Sequence, residues 1–238
     1  MVDTNSSLLS IIFPVHNEED IVEVKTVTMI SYLERHSLDF EIVLCENGST
    51  DGTLGIIRRL ASRYRQISYD SLPMADFSSA VIQGVRKAKS EKIVWMGIDY
   101  SAEIKFVIDA YRALDTFDIV LGSKKLGKDY RHLLRKFISR SYNTLVRLIF
   151  GLPYADVEGY QAYRKSKVSK LWRQISAPGH LFNLELLLAA RRHGLSVTEI
   201  PIDVYEVRRS KYLGDIVKLA KAIAISLKEF VRLKISYG

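Results

Sequence analysis

Short apolar runs alternate with stretches whose apolar positions recur at helical spacing, and this alternation organises the first half of the chain. Residues 8–15 predict a buried strand that ends at Pro14 and the polar group His16, Asn17, Glu18 and Glu19. A helical pattern follows to about position 36. Residues 40–45 predict a second strand, which runs into a turn cluster over 46–52. Helix returns over 53–64, then a weak strand over 67–69 and a helix over 78–89. Residues 92–96 and 118–122 predict two further strands with an amphipathic helix between them. Strands alternating with helices through short loops predict an α/β fold, with a largely parallel sheet covered by helices on both faces. The pattern loosens after Gly122. No repeat or low-complexity tract divides the chain. One domain is therefore expected over residues 1–212, followed by an amphipathic helix over 213–238 that could lie on a membrane surface.

Composition narrows the partners. The chain has 238 residues and a formal net charge of +8, which points to phosphate esters, acidic lipid headgroups or nucleic acid. Cys45 is the single cysteine, so no internal disulfide can form, and a reducing compartment fits. Residues 1–7 are too polar for a secretory leader, and no stretch reaches the roughly 20 apolar residues needed to span a bilayer. A soluble or peripheral protein is expected.

In parallel sheets ligands bind outside the carboxyl ends of the strands. Polar residues gather at those ends: His16, Asn17 and Glu18 after the first strand, Glu46 and Asn47 after the second, Asp99, Tyr100 and Ser101 after the fourth. Spacing alone leaves two readings open. The clusters are either local caps and turns, or one rim that holds a nucleotide and a metal ion.

Several motifs bear on the choice. Residues 11–19 (Ile-Ile-Phe-Pro-Val-His-Asn-Glu-Glu) resemble the opening strand and loop of family 2 glycosyltransferases, which have the GT-A fold. Residues 41–53 are similar to their second motif, and Asp118 to Lys124 to their Asp-x-Val-x-Gly-Ser-Arg segment. Asp156-Val157-Glu158-Gly159, Phe182-Asn183-Leu184-Glu185 and Glu199-Ile200-Pro201-Ile202 resemble, in order, further elements of the branch containing the dolichyl-phosphate mannose and glucose synthases. The resemblance covers roughly residues 8–212.

The resemblance implies transfer of a hexose from a UDP- or GDP-sugar to a polyprenyl phosphate, with magnesium or manganese as cofactor. It implies a nucleoside pocket lined by Pro14, His16, Glu18, Glu46 and Asn47. The expected nucleotide-binding set also includes Asp76, Arg208 and Lys211. The family's Asp-x-Asp motif appears as Gly97-Ile98-Asp99, so Asp99 is the expected metal ligand, with Ser101 or Glu46 adding oxygen. The acceptor phosphate is expected at Lys124, Arg135 and Ser139. His16 replaces a tyrosine, Lys124 an arginine and Asn183 an aspartate, and Ala75 to Ala80 lacks the family's glycines.

A phosphate acceptor is already an anion and needs no base, whereas a glycan hydroxyl does. Glu158 is the candidate base if the acceptor is a hydroxyl, so that alternative stays open, as does a non-catalytic sugar-nucleotide-binding or scaffold role. Residues 131–150 mix Arg131, Arg135, Arg140 and Arg147 with apolar positions. Residues 216–235 place Lys218, Lys221, Lys228 and Arg232 on one helical face. Such helices can lie in a membrane interface, which predicts an anionic membrane surface as partner and a peripheral location on its cytoplasmic face. Nucleic acid is not expected, since no recognition motif or aromatic platform accompanies the charge. His132, His180 and His193 lack metal-ligand spacing. Cys45, Trp95 and Trp172 read as core.

Overall fold

The computed structural model describes residues 8–176, 178–179, 181–206 and 216–237, and side chains of the last helix from Ile225 onward. The chain begins with β1 (Leu9–Val15), α1 (Val22–Arg35), β2 (Phe40–Asn47), α2 (Thr53–Arg63), β3 (Ile67–Leu72) and α3 (Phe77–Lys87). It continues through β4 (Lys92–Trp95), α4 (Phe106–Ala113), β5 (Ile119–Ser123) and α5 (Leu133–Phe150). The last part holds β6 (Gln161–Arg164), α6 (Lys165–Val168), a 3-10 turn (Leu171–Arg173), α7 (Leu181–Arg192), β7 (Val197–Pro201) and α8 (Ile216–Tyr237).

The strands form one sheet in the order β3-β2-β1-β4-β6-β5-β7. Only β6 runs antiparallel to its neighbours. Alternate residues of a strand face opposite sides, and both sides are covered. Ile11 and Phe13 of β1 join a core with Met29 and Leu33 of α1 and Ile57 and Leu60 of α2. Ile12 joins a second core with Val81 and Val85 of α3, and with residues of α5, α7 and α8. Burial on both faces is why these strands read as continuous apolar runs. Cys45, Trp95 and Trp172 are core residues, as expected.

Several elements differ from the sequence pattern. β2 continues through Glu46 and Asn47, which pair with Ser71 and Leu72 of β3, so the polar pair ends a strand instead of opening a turn. β6 has four residues, two of them polar, and falls below the reach of periodicity. α7 is buried almost all round and shows little amphipathic signal. β7 is a half-exposed edge strand.

The two basic helices also differ from expectation. Arg232 of α8 turns into the domain, where it pairs with Glu185 of α7 at 3.3 Å and donates to Ser176 Oγ at 2.7 Å. It does not join Lys228 on a free basic face. The side chains of Lys218 and Lys221 lie outside the described residues. Phe230 and Leu233 of α8 are buried, and the Phe230 ring packs on Tyr142 and Phe150 of α5. In α5 the buried side is partly polar, through Ser139 and Asn143, while Leu133, Leu134, Phe137, Ile138, Leu145 and Leu148 are exposed. Among the described residues no helix is long and apolar enough to cross a membrane.

Candidate active site

Parallel β1, β2 and β4 end on one edge of the sheet, and antiparallel β6 begins there. That edge therefore collects the loops after β1, β2 and β4 together with the segment before β6.

The first half of the site interlocks the β1 and β2 loops. The His16 ring places Nδ1 2.7 Å from the Asn47 carbonyl. A carbonyl only accepts, so Nδ1 carries the proton and Nε2 is left as acceptor toward Asn17 Nδ2 at 3.4 Å. Asn17, at φ +53°, accepts from the Thr50 amide at 2.8 Å. The Glu18 amide donates to Thr53 Oγ1 at 2.8 Å. Buried Glu46 accepts from the Ser49 amide at 2.5 Å and from the Ser71 hydroxyl. Both its oxygens are thus engaged in shaping the rim. Asn47 Oδ1 accepts from the Asp76 amide at 2.6 Å, which ties β2 to the start of α3. Gly48 (φ +63°) is needed at this join, because an added Cβ would meet the Met74 and Ala75 backbone at 2.6 Å. Asp76 itself caps α3, accepting from the Ser79 amide and from both the Ser78 and Ser79 hydroxyls. Pro14 pairs with Cys45 beneath these loops.

Asp99 follows β4 and is half-buried; its Oδ1 accepts from the Ser101 amide at 3.1 Å. Ser101 Oγ lies 3.1 Å from the Tyr160 hydroxyl, which also accepts from the Ala102 amide at 3.2 Å. Burial, and then the Asp99 charge, raise the pKa of the Tyr160 hydroxyl and keep it neutral. Tyr160 thereby links the β4 loop to the segment before β6.

That segment builds the second half. Lys124 Nζ, at the end of β5, sits 2.6 and 2.7 Å from the two oxygens of buried Asp156, and the Lys124 amide donates to Asp156 as well. Glu158 Oε2 is 3.9 Å from Lys124 Nζ and accepts from Ser139 Oγ of α5 at 3.1 Å. Asn143, one turn on, donates to Asp156 and accepts from the Val157 amide. Glu199 of β7 takes the Ala155 and Asp156 amides at 2.8 and 3.0 Å and holds the segment in place. Gly159 is required by closeness, since an added Cβ would fall 1.8 Å from the Gly122 carbonyl oxygen. Arg135 pairs with Glu206 at 3.4 Å. The His132 amide, together with the Arg135 charge, holds the Glu206 carboxyl below its ordinary range.

The structure therefore groups His16, Glu46, Asn47 and Asp76, joins Asp99 with Ser101, and groups Lys124, Ser139 and Glu158. Arg135 stands against Glu206. Lys124 is an ion-pair partner of Asp156 rather than an isolated cation. Arg208 and Lys211 lie outside the described residues. Asn143 and Tyr160 were not singled out from the sequence, and Asp156 and Glu199 were noted there only as parts of motifs.

A family model described as glycosyl transferase family 2 matches residues 10–172. The chain belongs to that family. It is similar to a dolichyl-phosphate beta-glucosyltransferase of Saccharomyces cerevisiae, at 25% identity over 94% of this chain and 75% of the relative. It is also similar to glycosyltransferase AglD of Haloferax volcanii, at 26% identity over 82% of this chain, but spans about a third (32%) of that protein's length. Among solved structures it resembles glucosyl-3-phosphoglycerate synthase of Mycobacterium tuberculosis, crystallised with Mn2+, UDP and phosphoglyceric acid. The TM-score is 0.68, with 20% identity over 94% of this chain and 78% of that one. The fold is GT-A, and as a family 2 member the chain is a glycosyltransferase.

For this glycosyltransferase the fit to a divalent cation turns on Asp99. Among the described residues no three His, Cys, Asp or Glu side chains cluster as a metal cage. A hard octahedral cation needs no such cage when substrate phosphates supply the remaining oxygens, because one or two protein carboxylates then suffice. Asp99, with one oxygen in a hydrogen bond to the Ser101 amide, matches that donor set. A side chain at Gly97 would bring its Cβ 2.9 Å from Asp99 Oδ1, so the glycine leaves the Asp99 carboxylate its space.

Proposed function

We propose that this glycosyltransferase moves a hexose from a nucleotide sugar to a polyprenyl phosphate at an anionic membrane surface, on the cytoplasmic face. The observation that carries the reading is the two-sided character of α5. Its inner face aims Ser139 and Asn143 at the Lys124–Asp156–Glu158 cluster, and its outer face exposes a stripe of six large apolar residues. A phosphate head and an isoprenoid tail need those two environments side by side. The likeness to the yeast dolichyl-phosphate beta-glucosyltransferase supports the same acceptor class.

In this reading the His16, Glu46 and Asn47 loops form the nucleoside wall, with Pro14 and Glu18 beneath and beside them. Arg208 and Lys211, assigned to the nucleotide as well, lie outside the described residues. A magnesium or manganese ion at Asp99 and Ser101 would neutralise charge growing on the diphosphate as the glycosidic bond breaks. The acceptor's phosphate oxygen forms the new bond to the anomeric carbon, and the nucleoside diphosphate departs with the electron pair. Arg135 can fork onto phosphate oxygens, while Lys124 acts as a point charge. Both now face carboxylates, Glu206 and Asp156, so binding an acceptor phosphate means re-pairing these cations. The single Ser139 hydroxyl proton is donated to Glu158, so a hydrogen bond from Ser139 to the phosphate means turning it away from Glu158. No base is needed, because the acceptor is already ionised.

Transfer to a short polyprenyl phosphate, measured beside metal-dependent nucleoside diphosphate binding, tests the acceptor side. Arg135→Ala is expected to lower transfer at least tenfold, about 1.4 kcal/mol, with nucleotide binding intact. Loss of both together would assign Arg135 to the donor or the fold, and undiminished transfer would remove it from the reaction.

A further inference from the structure

Along α5 at 100° per residue, three cations share one flank: Lys136, Arg140 and Arg147. Arg135 falls on the opposite flank, with Ser139 and Asn143 between them on the buried side. The cationic flank lines a cavity of about 290 Å3, whose other wall comes from the loop after β5 and includes Lys125 and Asp129. Lys124, Ser139 and Asp156 also line it, whereas Arg135 and Glu158 do not.

The charges in this cavity do not balance. Asp156 is matched by Lys124 at 2.6 Å. Asp129 is matched by Arg131, which forks onto both its oxygens at 2.9 and 2.8 Å. The two carboxylates are therefore already neutralised. Lys125, Lys136, Arg140 and Arg147 form no ion pair among the described residues. Four uncompensated cations around one concave space repel each other unless an anion sits among them.

The neighbouring surface indicates where that anion comes from. Next to the cationic flank runs the exposed apolar stripe of α5, with Phe137 68% and Leu148 78% exposed. Cations on the shoulder of an apolar stripe are placed for the layer where phosphates meet acyl chains, with long stems lying along the apolar surface. We propose that this cavity seats the phosphate of a glycerophospholipid headgroup, read chiefly by Lys136 and Arg140, and so fixes how the enzyme sits on the membrane. The seat adjoins the acceptor site, sharing the Lys124 and Ser139 wall with it, but its Lys136 and Arg140 lie across the buried side of α5 from Arg135. The proposal rests on the membrane reading above and adds a specific site to it.

The test uses the full chain and vesicles free of polyprenyl phosphate, either phosphatidylcholine alone or phosphatidylcholine with phosphatidylglycerol. Lys136→Ala/Arg140→Ala is compared with Arg58→Ala/Arg59→Ala. The control removes the same charge from exposed positions on α2, which packs at the β2–β3 end of the sheet, far from β5. The cavity variant is expected to lose about tenfold in partition to the anionic vesicles, about 1.4 kcal/mol, and the control less than about twofold. Transfer to a short acceptor in detergent is expected to stay unchanged in both. Equal losses in the two variants would reduce the effect to net charge and overturn the site. Loss of transfer in detergent would make Lys136 and Arg140 part of the acceptor site and likewise overturn the proposal. If the wild type binds neither vesicle, the membrane reading itself falls.

Discussion

Asp99 carries more of the proposed chemistry than any other side chain, because Gly97 stands where the family's motif has another aspartate. Its single carboxylate would have to engage a cation whose remaining ligands are phosphate oxygens and water. Nucleoside diphosphate binding should therefore tighten when magnesium or manganese is added, and Asp99→Ala should abolish the enhancement. Equal metal response in the mutant, measured by titration calorimetry, would place the ion elsewhere. A different residue shows how burial suppresses chemistry. Cys45 is fully packed between β1 and α3, and burial pushes its thiol up to about 12, so it is a core residue without a reactive thiolate. At this scale the sequence named most of the residues that line the candidate site, since polar side chains at strand ends stand out against apolar runs. It could not show that Lys124 is matched by Asp156 or Arg135 by Glu206, because those partners are 32 and 71 positions away.

At the scale of elements, Asp76 joins the rim to α3. Its carboxylate is partly desolvated, which raises its pKa, yet the Ser79 and Ser78 hydrogen bonds outweigh that and hold it below the ordinary value. A depressed carboxyl contributes stability that is complete above the unfolded-state pKa of about 3.9 and is lost as pH falls through the lower folded value. Asp76→Ala should accordingly cost about 1 kcal/mol near neutral pH, and the gap to wild type should close in strong acid. A gap that persists unchanged at low pH in denaturant titrations would show that the cap does not depend on the carboxylate. The early strands and helices were legible because each pairs an apolar run with turn residues. Later elements were not. β6 is four residues long, α7 is buried almost all round, and α5 turns an apolar stripe outward, reversing the face that a soluble helix normally buries.

For the whole molecule, the antiparallel insertion of β6 is what completes the site. Ligand loops in a parallel sheet come from carboxyl ends, but β6 brings its amino-terminal segment, with Asp156, Glu158 and Tyr160, to that same edge. Motif order hinted at Asp156 and Glu158 but not at Tyr160, while strand direction, which depends on pairing across the sheet, became visible only in three dimensions. The assembled edge has the side proposed for the nucleotide around β1, β2 and β4 and a cationic side around β5 and α5. The proposed reaction runs across that division. Its most direct test gives the purified full chain radiolabelled UDP-glucose or GDP-mannose, a divalent metal and a short polyprenyl phosphate, then partitions the mixture between water and organic solvent. Metal-dependent movement of label into the organic phase is expected with one of the two donors. Label that passes only to a water-soluble glycan, or that stays on the nucleotide although nucleotide and metal bind, would contradict it.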